Sequence, residues 1–127
     1  MAVELALTPD SRWDIETGGL VRAARDAGFT ALGIPAGRVD SHAASTYGSA
    51  GLSCHELMAL VVSDDEAATV ASARELAAAA AVMGARWVTT VFQTGLHDGS
   101  ARVIERCAAI FAEAGTGMAV EFSPLGR

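Results

Sequence analysis

A single carboxylate stands out near the carboxyl end of the sequence. The segment AGTGMAVEFSPLGR carries an apolar run at residues 118–120, followed directly by Glu121. Apolar runs of this kind are typical of strands that are buried on both faces. Burying a carboxylate is unfavourable unless a metal ion or another partner compensates the charge. Glu121 is therefore a candidate metal ligand or general base, and the alternatives are an arginine pair or a solvated position at a sheet edge.

Four more side chains follow predicted strands at the end where parallel α/β sheets bind ligands. They are Arg12, Trp13, Gln93 and His97. The Arg12 guanidinium suits a phosphate or carboxylate, Trp13 suits a sugar face, and His97 lies beside Asp98. The alternatives are a surface salt bridge for Arg12, a covering role for Trp13 and an exposed loop position for His97.

Several classes of function have no support in the sequence. No GxGxxG follows the first predicted strand, and the chain has neither GxxxxGK[ST] nor GxSxG. The absence of lysine excludes Schiff-base chemistry on this chain, and a net charge of -6 argues against nucleic-acid binding. Cys54 and Cys107 lack metal-site spacing, and no signal peptide or membrane span is predicted. We expect a cytoplasmic protein.

The elements that must position these side chains follow a repeat. Four times a helical segment ends near a glycine and an apolar run follows, in RDAGFTALGI, GSAGLSCHEL, AVMGARWVTT and AEAGTGMAVE. The predicted strands are residues 3–8, 31–34, 52–61, 86–92 and 118–122. The predicted helices are residues 18–27, a weak one within 40–50, one from a Ser63/Glu66 capping box to residue 83, and 100–114, capped by Asp98 or Ser100.

Five strands alternating with four helices predict a parallel sheet with right-handed crossovers. Two arrangements fit, namely an open flavodoxin-type sheet or the first five strands and four helices of a (β/α)8 barrel, which typically needs ~250 residues. A flavodoxin-type sheet normally has a closing helix after the fifth strand, and here only SPLGR follows it. We therefore expect residues 1–127 to form one incomplete TIM-barrel domain.

The segment GMAVEFSPLG resembles the xylose isomerase-like barrel superfamily, in its sugar phosphate isomerase/epimerase branch. Members often carry a fifth strand ending in Glu-Phe-x-Pro, as residues 121–124 do here. The junctions AARDAGFTALGI and AAAAAVMGARWVTTVFQTG are also similar to passages of that family. The resemblance covers nearly the whole chain, although helix-Gly-strand junctions recur in many barrels.

This resemblance implies a divalent ion, Mn²⁺, Mg²⁺ or Zn²⁺, bound at the barrel mouth by carboxylates and a histidine. The ion polarises the substrate while acid-base groups move a proton. Glu121 matches one such ligand, and the others would come from strands six to eight. The sequence departs from the family at Gly33, where a glutamate is common, and near Met58, where a histidine is common. We expect no tight metal binding and no activity from this chain alone.

The leading hypothesis is thus the first part of a metal-dependent isomerase or epimerase that acts on a sugar or sugar phosphate. A second hypothesis is a non-catalytic α/β module that assembles with itself or a partner, and a third is a small flavodoxin-like binding domain. An open parallel sheet exposes its edges, which predicts self-association or poor solubility.

Overall fold

The computed structural model describes residues 3–10 and 12–121. The strands are β1 (Ala6–Leu7), β2 (Ala31–Pro35), β3 (Ser53–Val62), β4 (Trp87–Phe92) and β5 (Gly117–Val120). The helices are α1 (Thr17–Asp26), α2 (Ser41–Ser49), α3 (Glu66–Met83) and α4 (Ser100–Glu113), and a short 3-10 helix, Ala36–Arg38, follows β2. The predicted alternation of strands and helices is confirmed.

The strands form one parallel sheet in the order β1-β2-β3-β4-β5. A flavodoxin-type sheet has the order 2-1-3-4-5, because its chain reverses direction after the first crossover. The sequential order excludes that alternative within the described residues. It is the order of consecutive units in a (β/α)8 barrel, so the predicted partial barrel is confirmed.

The two faces of the sheet differ in what covers them. One face carries large apolar side chains that pack with the helices in a single core, among them Leu32, Ile34, Leu57 and Val88. These four are at most 1% exposed. The opposite face, which would line the interior of a complete barrel, we call the concave face. It carries polar side chains, including Glu56 and Thr89, among apolar ones.

Strand β3 contains one extra residue relative to β2 and another relative to β4. Leu32 pairs with Cys54 and Ile34 with Leu57, so residues 55 and 56 together face Gly33 across the β2–β3 ladder. A second shift lies between the Met58 and Leu60 pairings with β4. Each bulge changes the strict alternation of side chains, and the first allows Glu56 to reach the concave face.

The four junction glycines of the repeat, Gly28, Gly51, Gly84 and Gly115, all adopt positive φ angles between 63° and 90°. This backbone conformation is accessible to glycine and strained for other residues. The periodic glycines therefore mark the helix ends, as predicted.

Several predicted boundaries and caps are wrong. The first strand extends over two residues instead of six. The weak second helix is regular, because the Asp40 carboxylate caps it by accepting from the Ala43 N–H at 2.7 Å. The third helix has no Ser63/Glu66 box: its N-cap is Asp65, which accepts from the Ala68 N–H at 3.0 Å.

Helix α4 begins after Gly99 without a side-chain cap, so neither Asp98 nor Ser100 plays the predicted role. The Ser100 hydroxyl instead accepts from the His97 N–H at 2.9 Å. In the part of the chain that the structure describes, we find no helix with the length and apolarity that crossing a membrane requires.

Candidate functional site

The carboxyl ends of β3, β4 and β5 meet at one edge of the sheet. The Gln93 N–H donates to the Val62 carbonyl and the Glu121 N–H donates to the Thr90 carbonyl, both at 2.9 Å. Glu121 and Gln93 therefore lie at the same end, which is the end where barrels bind ligands.

Glu121 also belongs to the concave face. Ala119 pairs with Thr89, whose side chain is on that face. Glu121 follows two residues later, one residue past the end of β5, where its hydrogen bond to Thr90 continues the ladder. Side chains two residues apart on a strand share a face. The Glu121 carboxylate is exposed at the edge of the sheet, on the side that would become a barrel interior.

The described residues do not complete a metal site. No group of three or more His, Cys, Asp or Glu side chains within residues 3–10 and 12–121 is arranged to hold an ion. Mn²⁺ and Mg²⁺ prefer about six oxygen ligands, and Zn²⁺ about four ligands. One carboxylate is insufficient for either, so the donor set present does not by itself fit the implied ion. Residues 122–124 of the Glu-Phe-x-Pro motif lie outside the described residues.

Arg12 forms a local pair with Asp10 in the loop after β1. Its guanidinium nitrogens contact the Asp10 carboxylate at 2.6 to 3.2 Å, and the Arg12 side chain is 87% exposed. These hydrogen bonds lower the pKa of Asp10 to about 2. The geometry is that of a surface salt bridge, although an anionic ligand remains able to compete for the guanidinium.

Trp13 borders a small cleft between the β1–α1 loop and the end of β2. The cleft has a volume of about 100 Å³ and is also lined by Pro9, Gly33 and Arg38. The Tyr47 hydroxyl donates to the Gly33 carbonyl at 2.9 Å beneath it. The Trp13 ring, 44% exposed, thus presents an open face near the edge of the sheet.

His97 lies above the ends of β3 and β4 with Asp64. Its Nε2 is 3.5 Å from Asp64 Oδ1, which also accepts from the Thr94 hydroxyl at 3.1 Å. Its Nδ1 accepts from the Gly99 N–H at 3.2 Å, so the neutral ring carries its proton on Nε2 and directs it at Asp64. His97 borders a cleft of about 160 Å³ with Thr94.

The predicted site residues therefore lie at one end of the sheet but in separate groups. Arg12 and Trp13 belong to the β1–α1 loop, His97 to the β4–α4 loop, and Glu121 to the end of β5. Among the described residues, no hydrogen bond or salt bridge joins one group to another.

Glu56 was not identified from the sequence. Its Oε1 accepts from the Thr8 hydroxyl and its Oε2 accepts from the Thr89 hydroxyl at 2.7 Å. The carboxylate thus links the residue that follows β1 to β3 and β4 on the concave face. A carboxylate within a predicted strand was the available signal, but the bulge beside it made the direction of its side chain unpredictable.

The cysteines are not placed for catalysis. Cys54 and Cys107 are free and buried in the core. Burial raises the pKa of both thiols, that of Cys54 to about 11. Protonated, covered thiols are poor nucleophiles.

Comparison with solved structures identifies similar folds. A xylose isomerase domain protein from Alicyclobacillus acidocaldarius superposes with a TM-score of 0.67 at 19% identity, over 95% of this chain and 50% of that one. D-psicose 3-epimerase, solved in the presence of D-fructose, superposes with a TM-score of 0.70 at 12% identity, over 98% of this chain and 54% of that one. The IOLI protein with a bound zinc atom superposes with a TM-score of 0.69 at 13% identity, over 93% of this chain and 51% of that one.

The chain spans about half the length of these solved structures. No protein family model and no curated protein matches the sequence. The likeness to xylose isomerase-like barrels, expected from the sequence, is confirmed at the level of fold.

Proposed function

We propose that this chain supplies the first five strands of a divalent-metal-dependent sugar or sugar phosphate isomerase/epimerase barrel, with Glu121 as one metal ligand. The position of Glu121 carries the proposal. It lies at the carboxyl end of β5, on the concave face, where a closed barrel would direct it into the mouth. Three further strands, from the same or another polypeptide, are needed to complete the barrel.

Similar structures and the loops around the mouth support the proposed substrate class. One similar structure is an epimerase solved with D-fructose. In this chain the exposed Trp13 ring offers a face for an apolar sugar surface, and Gln93 and His97 offer hydrogen bonds to hydroxyl groups. Arg12 would hold a phosphate if it exchanged Asp10 for that anion.

The ion that we propose is Mn²⁺, Mg²⁺ or Zn²⁺, and the zinc atom bound in the similar IOLI structure supports a divalent ion. Because the described residues contribute Glu121 and no complete ligand set, we assign the remaining ligands to the closing strands. We therefore propose that the 127-residue chain neither binds the ion tightly nor turns over substrate by itself.

The partners that we propose are small sugars, with nucleic acids disfavoured by the net charge of -6. A cytoplasmic location is consistent with two free, buried cysteines. The non-catalytic alternative, a module that assembles with itself, is favoured by the outer edges of β1 and β5, which pair with no further strand among the described residues.

A proton-exchange assay tests the proposed activity. The chain is fused after residue 121 to the half of the Alicyclobacillus protein that lies outside the match, and we call this fusion the closed chimaera. We expect the folded closed chimaera with Mn²⁺ to incorporate solvent deuterium into a ketose such as D-fructose or its phosphate. The same fusion carrying Glu121→Gln is the matched control and should lose most of the exchange. Equal exchange by both proteins would contradict the role of Glu121.

A further inference from the structure

The carboxylate of Glu56 lies at the middle of the concave face. Strand β3 is the central strand of the five, and Glu56 is the fourth of its ten residues, below the edge where Glu121 lies. Each Glu56 oxygen accepts one threonine hydroxyl, from Thr8 and Thr89. Each oxygen therefore keeps a free lone-pair direction, and neither threonine supplies a positive charge.

No cation forms a salt bridge with Glu56 in the described part of the chain. The salt bridges there use Asp10, Asp26, Glu4, Asp64 and Glu66 as acids, and none of them involves Glu56. The neighbouring concave side chains, Met58 and Trp87, are uncharged. The carboxylate is half-buried, so water on the open face still solvates it.

Closure of a barrel would remove that water. The interior of an eight-stranded barrel is packed with layers of four side chains that come from alternate strands. Glu56 belongs to an odd-numbered strand, and strand seven would face β3 across the interior. A carboxylate buried there without a counter-charge would be strongly unfavourable.

We propose that the concave face is a docking surface for the barrel-closing strands and that these strands present an arginine to Glu56. The two free lone-pair directions match the paired N–H donors of a guanidinium. The inference rests on the part of the proposed function that assigns barrel closure to further strands. The inference adds an arginine as the chemistry of the partner surface. It also argues against docking of a second unmodified copy of this chain, because the two Glu56 carboxylates would then face and repel each other.

A charge-swapped copy of the chain serves as the probe. Tagged wild-type chain is mixed with untagged Glu56→Arg chain, and the dissociation constant is measured by sedimentation and native mass spectrometry. We expect the mixed pair to associate roughly tenfold more tightly than either protein with itself, which corresponds to one favourable charge contact. Glu56→Gln is the matched neutral control and should show no preference for the wild type. Circular dichroism verifies folding, and Glu56→Lys replaces Glu56→Arg if the latter is unfolded.

Association through strand edges would be the same in every mixture and would cancel in this comparison. Equal dissociation constants for the mixed and unmixed proteins would overturn the proposal, as would the tightest association in the Glu56→Gln control. The measurement involves neither metal nor substrate, so its failure leaves the role of Glu121 intact. A failure of Glu121 to bind metal likewise leaves the docking surface intact.

Discussion

The side chain of Glu56 occupies the space that a side chain at position 33 would need. An ideal Cβ on Gly33 would lie 2.9 Å from Glu56 Cγ and 3.0 Å from its Oε1. The glycine and the glutamate are thus a matched pair on adjacent strands. This relationship gives a physical reason for the glycine at position 33.

Gly33→Ala should destabilise the protein by roughly 1–3 kcal/mol, because the added methyl group forces Glu56 away from its threonine donors. Denaturant unfolding measures the loss. Gly37→Ala is a suitable control, since a Cβ there meets nothing within 4 Å. In a Glu56→Ala background the penalty should largely disappear, and an undiminished penalty would show that Gly33 is required for another reason.

The cap of α3 provides a second test. Asp65→Ala should cost about 1 kcal/mol, because it removes the carboxylate that accepts from the Ala68 N–H. Ser63→Ala should cost less, since its hydroxyl makes only longer contacts of 3.3 and 3.4 Å with the Asp65 N–H and the Thr69 hydroxyl. Thermal unfolding of both variants measures which one loses more stability. A larger loss for Ser63→Ala would support the Ser63/Glu66 capping box predicted from the sequence.

The raised pKa of the Cys54 thiol predicts that the stability of the protein falls at alkaline pH. Its pKa rises from 9.0 to about 11 on folding, so the unfolded chain releases its proton first. The stabilisation is complete below pH 9 and is lost as the pH rises towards 11, by about 2–3 kcal/mol. Tyr47 also titrates with a raised pKa in the alkaline range, so the measurement compares the wild type with Cys54→Ala. The difference in unfolding free energy between them should shift by that amount in favour of the variant, whereas a constant difference would contradict the assignment.

The fold was predictable because its signals are local and repeated. Four glycines at helix ends, each with positive φ, divide the chain into its units, and apolar runs mark the strands between them. The short first strand was not predictable from residues 3–8, because pairing with Ala31 and Leu32 alone determines its extent. The Asp65 cap was missed because Ser63, two residues earlier, matches the same motif.

The sequence predicted the position of a site residue only where that residue directly follows a strand. Glu121 and Gln93 lie at the expected edge because parallel strands share a direction. Glu56 depends instead on a bulge opposite Gly33, which is a tertiary feature that strict alternation does not encode. The local pairs Arg12–Asp10 and His97–Asp64 depend on loop conformations, which spacing alone does not specify.

Calorimetric titration with Mn²⁺ tests the central claim most directly. Three proteins are compared, namely the 127-residue chain, the closed chimaera and the closed chimaera with Glu121→Gln. We predict no tight binding by the chain, clear binding by the closed chimaera, and loss of most of that binding in the variant, because the amide keeps the shape of the side chain but removes its charge. Sub-micromolar binding by the 127-residue chain, or unchanged affinity in the Glu121→Gln chimaera, would contradict the assignment of Glu121 as a metal ligand that requires the closing strands.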